Sequence, residues 1–122
     1  MDARTDAIRL AIAIARRVVK RVTALPEVAS AVAVDNAAEA LEIVGRQTDV
    51  ALHVNPADFD AITAFAAGLV ESGRESRHVR LVADPSVAPG GCLLTTAEGR
   101  VDASLEKQVD RIAEWLVGGS VA

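Results

Sequence analysis

Residues 89–116 read PGGCLLTTAEGRVDASLEKQVDRIAEWL, and their order decides the fold. Pro89-Gly90-Gly91 ends one segment and turns the backbone where a side chain would obstruct it. Cys92 to Ala97 is short, apolar and threonine-bearing, the pattern of a strand. Glu98-Gly99 is a turn, and Arg100-Val101 starts a return strand. Asp102 stands at an expected helix N-cap, where its carboxylate would accept from the free amides of the first turn. Leu105, Val109, Ile112 and Leu116 then recur at helical spacing as one apolar stripe. The stretch therefore predicts a glycine turn, a hairpin and a terminal helix.

Working back from it, Arg77 to Asp84 is a strand with Val79, Leu81 and Ala83 on one face. Asp49 to Val54 alternates cleanly: Val50, Leu52 and Val54 point one way, Asp49, Ala51 and His53 the other. Between these strands Asn55-Pro56 opens a helix. Asn55 can cap it, Pro56 is preorganised at the first helical position, and Asp58 adds negative charge to the first turn. Phe59, Ile62, Phe65, Ala66 and Leu69 carry its core stripe, and Gly73 ends it. A strand, a helix of this length and a second strand predict a parallel, right-handed unit.

The N-terminal part is helical. A first helix is expected from about Asp6 to Leu25, capped by Thr5 or Asp6 and stopped before Pro26. Ile8, Ile12, Ala15, Val19 and Val22 form one stripe, and Leu10, Ile14, Val18 and Leu25 widen it. Arg9, Arg16, Arg17, Lys20 and Arg21 hold the other side. So wide an arc reads as a helix wedged between the sheet and the second helix, or as a helix with part of its arc in a dimer seam. Pro26 to Gly45 is alanine-rich and helical, with a break expected at Asp35-Asn36 and a stop at Gly45. The order is α-α-β-α-β-β-β-α. The expected fold class is α/β (α+β): one domain over residues 1–122, with a small mixed sheet of three or four strands packed against helices.

Composition narrows the function classes. The chain has 122 residues, 51% hydrophobic and 25% charged, and a net charge of -4. That suits a folded domain and gives no reason to expect nucleic acid as a partner. Cys92 is the single cysteine. It excludes an internal disulfide and a thiolate metal site, and it reads as a buried small hydrophobe. The N-terminus lacks the pattern of a signal peptide, and no run is long enough to span a bilayer. A cytoplasmic location without direct membrane insertion is the expectation.

The chemistry-bearing residues do not assemble into a reactive set. Gly90-Gly91 is followed by a strand and by no Lys-Ser or Lys-Thr, so it is a turn and not a phosphate loop. His53 and His78 could lie on adjacent strands, but a metal would need a third ligand and only Asp49 is near. No catalytic, cofactor or metal residue is expected. On the last helix Glu106, Asp110 and Glu114 form an acidic ridge at four-residue spacing, with Lys107 and Arg111 beside it. Trp115 stands at the edge of the apolar stripe. These four residues, Glu106, Asp110, Glu114 and Trp115, are the candidate partner-binding strip.

The same landmarks resemble the C-terminal domain of the FliH/YscL family, the stator proteins of flagellar and type III secretion export ATPases. The resemblance rests on Val54-Asn55-Pro56 with Asp58, on Asp84, and on Pro89-Gly90-Gly91-Cys92. It continues through Gly99, Val101-Asp102-Ala103-Ser104-Leu105-Glu106 and Gln108. Asn55, Pro56, Asp58, Gly90, Gly91, Gly99 and Asp102 are its structural signature. The resemblance implies a non-enzymatic scaffold that binds the N-terminal segment of a secretion ATPase, as a homodimer, and regulates it. In the family a long helical extension precedes this region, so the chain corresponds to a C-terminal part or to a short member. Two other readings compete. One is a peripheral-stalk subunit of a rotary proton-translocating ATPase. The other is a small ligand-binding or enzymatic domain, which would need a deep pocket at His53 or His78.

Overall fold

The computed structural model describes residues 3–45, 49–75 and 78–118. The alternating segment becomes β1 (Asp49–Val54), and β2 (His78–Ala83), β3 (Cys92–Thr96) and β4 (Gly99–Asp102) complete a four-stranded mixed sheet of order β2-β1-β3-β4. Arg77, the expected start of β2, lies outside the described residues. β1 and β2 are parallel; β1 with β3 and β3 with β4 are antiparallel. The register aligns Leu81, Leu52, Leu94 and Val101 across all four strands on one face. A one-residue slip would turn that whole row to solvent, so the row itself specifies the register.

Two helices cover this face. α2 (Pro26–Val44) presents Ala33, Ala37, Ala40 and Leu41, and α3 (Phe59–Glu71) presents Ile62. Small alanine side chains let α2 lie close over β3. α3 is preceded by a 3₁₀ turn, Pro56–Asp58, in which Asn55 Oδ1 accepts from the Ala57 amide at 2.9 Å. The Asn55 amide group also donates to Val87 O at 2.9 Å, tying this helix start to the chain before the glycine turn. Gly45 and Gly73 adopt positive φ where α2 and α3 stop, as their positions predict.

Three expectations are corrected. α2 is continuous through Asp35-Asn36. Asn36 does not compete for its own backbone because its side chain finds partners elsewhere in the fold. α1 (Ala3–Val22) already includes Thr5 and Asp6, so neither caps it, and it ends three residues before Leu25. Nor is α1 wedged against the sheet. None of its residues is buried, and it packs on α4 (Leu105–Gly118).

Candidate docking site

The glycine turn is held from both sides. Gly90 is buried with φ +84°, a region other residues avoid. A Cβ there would lie 3.1 Å from Leu105 Cδ1 and 3.2 Å from Thr23 Cγ2. Its N–H donates to Asp58 Oδ2 at 2.9 Å, and its carbonyl accepts from Asn36 Nδ2 at 2.7 Å. Asp58 is fully buried, and its other oxygen accepts from Ser30 Oγ at 3.0 Å. Asp58 is therefore more than a first-turn charge. It bridges α2, the start of α3 and the turn, where a buried polar group needs its partners. Gly91 allows a close approach, since a Cβ on it would sit 3.1 Å from Ser104 Cα. Gly99 has no such reason, because a Cβ there meets nothing within 4 Å.

Asp102 is not the cap of α4. Its Oδ1 accepts from the Ser104 amide at 2.9 Å, and Ser104 Oγ accepts from the Lys107 amide at 3.2 Å. The helix starts at Leu105, so Ser104 is one residue before it and Asp102 too far upstream. Cys92 faces the core opposite Val54. Burial, with the Asp102 charge nearby, pushes its thiol up to about 11. The folded state favours the neutral thiol, so the stability from this group is complete below the ordinary pKa of 9.0 and lost as pH rises through about 11. Cys92 should resist iodoacetamide at pH 8 in the native protein and react fully once unfolded; equal rates in the two states would contradict this placement.

Most of the exposed large apolar side chains among the described residues lie on the α1–α4 pair, with Ile43 and Val70 exposed on α2 and α3. α1 meets α4 along one side and leaves Leu10, Ile14 and Val18 exposed, with Leu25 just beyond its end. On α4, Ile112 is 58% exposed and Trp115 71% exposed. Ile112 belongs to the apolar stripe of α4 yet is exposed, because α4 packs chiefly on α1 and has no core around it. Six cationic side chains and the single acid Asp6 lie on α1. One of them, Arg16, pairs with Asp110. The acidic ridge is thus interrupted: Glu106 and Glu114 are exposed, while Asp110 is bound within the chain. Beside the pair lies an open cavity of about 630 Å³, lined in part by Lys20, Arg100, Asp102, Leu105 and Lys107.

The histidines do not converge. His53 is in register with Val82, and His78 with Asp49, four residues away along β1. The His78 side chain lies outside what the structure describes. His53 Nδ1 lies 3.4 Å from Asp84 Oδ2 and does not line the 630 Å³ cavity. The Ser86 hydroxyl and amide donate to Asp84 Oδ1 at 2.6 and 2.9 Å. Those bonds, with His53 adding to them, hold the Asp84 carboxyl below the ordinary carboxylate range.

A family profile described as "Flagellar assembly protein FliH" matches residues 2–112. The flagellar assembly protein FliH of Borreliella burgdorferi is 27% identical over 107 residues, which cover 88% of this chain and 34% of that protein. The type 3 secretion system stator protein of Yersinia pestis is 32% identical over 78 residues, covering 64% of this chain and 35% of that protein. The stator protein of Yersinia enterocolitica matches with the same identity and coverage. The chain spans about a third of the length of the curated relatives it matches.

Proposed function

This chain belongs to the FliH family, and we propose that it is the docking head of a stator in a flagellar or type III protein export apparatus. It acts on the cytoplasmic face, binds the N-terminal segment of the export ATPase and regulates that enzyme without catalysis of its own. The family match over residues 2–112 carries this reading. Relatives named for flagellar assembly and type 3 secretion favour it over a rotary proton-translocating ATPase.

The geometry supports recognition by surface. Exposed large apolar side chains concentrated on two adjacent helices mark an interaction face. An amphipathic helix from the ATPase would lay its apolar side against Ile112 and Trp115 and its basic side toward Glu106 and Glu114. The Leu10, Ile14 and Val18 stripe of α1 serves a second copy of the chain, making a homodimer. Titration with the cognate ATPase N-terminal segment tests the reading. Saturable heat at micromolar affinity, roughly −8 kcal/mol, is expected. Absence of heat or spectral shift with a folded segment at excess would overturn it.

A further inference from the structure

Gln108 and Asn36 make a contact that the docking surface itself does not use. Asn36 is 7% exposed, in the middle of α2. Its Oδ1 accepts from Gln108 Nε2 of α4 at 3.1 Å while its Nδ2 donates to Gly90 O at 2.7 Å. Gln108 also donates to Ala103 O at 3.2 Å, just before α4 begins. Gly90 in turn is fixed through its N–H to Asp58 and through Asp58 to Ser30. One chain of hydrogen bonds thus runs from α4 through α2 and the glycine turn to the start of α3.

This chain meets a helix pair with a narrow footing. α1 buries no residue, and α4 touches the turn through Leu105 in its first helical turn. The backbone tie at this end is the reciprocal pair between Cys92 and Ala103, which stops before α4 starts. Beyond Gln108 a further tie to the sheet lies at the surface, where exposed Arg111 donates from Nη2 to Asp102 O at 2.7 Å, and Ile112 and Trp115 are exposed. A side-chain amide at this point sets an angle, because a small rotation about the first turn is magnified along the rest of the helix.

We propose that Gln108 and Asn36 form the joint that fixes the direction of the α1–α4 pair relative to the sheet. The buried amide of Asn36 is saturated on one side by the turn and on the other by α4, so it transmits the position of the turn to the pair. Gln108 is a positioning residue: it touches no partner and holds the face that does. Its importance for docking rests on the proposed function, whereas the joint itself is a property of the free chain.

Spin labels on Ala64→Cys in α3 and Glu114→Cys in α4, both exposed positions, report the angle in the absence of any ATPase. Buried Cys92 stays unlabelled. A narrow distance distribution is expected for the parent, and Gln108→Met should broaden it about two-fold or more while β1 and β3 keep their slow amide exchange. Gln108→Lys restores a donor of similar reach and should keep the distribution narrow. An unchanged distribution in Gln108→Met overturns the joint, as does equal broadening in the methionine and lysine variants, which would make it a matter of packing alone. Loss of slow exchange in β1 and β3 would also overturn it, since the contact would then belong to the core. Failure of the ATPase to bind would leave these outcomes untouched.

Discussion

Replacing Asp58 by alanine should destabilise the protein by about 3 kcal/mol. The side chain is fully buried, and its two oxygens accept from Ser30 Oγ and from the Gly90 amide. Alanine removes both bonds and leaves the Gly90 N–H, inside the fold, without an acceptor. An orphaned buried donor costs its full desolvation, about 1–3 kcal/mol, in addition to the void left by the carboxyl group. Asp58→Asn keeps the volume and one acceptor, so its cost should be smaller, about 1–2 kcal/mol. Urea unfolding measures both. A loss under about 0.5 kcal/mol for the alanine variant would place Asp58 among ordinary surface positions and remove the clamp on the turn.

Trp115→Ala should have the opposite profile. The ring is 71% exposed, so its removal should leave folding stability within about 0.5 kcal/mol of the parent. If the ATPase segment covers this face, the ring becomes a buried aromatic anchor, and truncation should weaken binding by about 2 kcal/mol, roughly 30-fold. Titration of the variant against the same segment reads this directly. Undiminished affinity would move the contact away from α4. The pairing of these two substitutions matters because Asp58 tests architecture without touching the surface, and Trp115 tests the surface without touching architecture.

Period and turn chemistry made the sheet legible. The alternation in Asp49–Val54, the Asn55-Pro56 helix start and the glycine-to-hairpin order each correspond to a local rule, and each appears where the residues place it. What depends on partners distant in sequence was not legible. Asp35-Asn36 reads as a helix break because Asn competes locally, but the Asn36 bonds go to Gly90 and Gln108, 54 and 72 residues on. A signal was present: Asn36 falls on the same helical arc as Ala29, Ala33, Ala37 and Ala40, which marks it as buried and in need of partners. Ser104, next to the first residue of α4, was the better cap candidate than Asp102 for a similar reason of register. For α1 the sequence leaves two readings, a wedge against the sheet or a dimer seam, because an apolar arc shows that something covers it and not what; its exposure removes the first.

Hydrogen exchange of the chain with and without the ATPase N-terminal segment gives the most direct test of a passive docking head. At saturation, amides of residues 105–116 in α4 should slow, along with those of the α1 face beside them, while β1 and α3 keep their free-state rates. Slowing confined to the sheet row of Arg80, Thr95 and Arg100, or no slowing anywhere, would show that the helix pair is not where the ATPase docks.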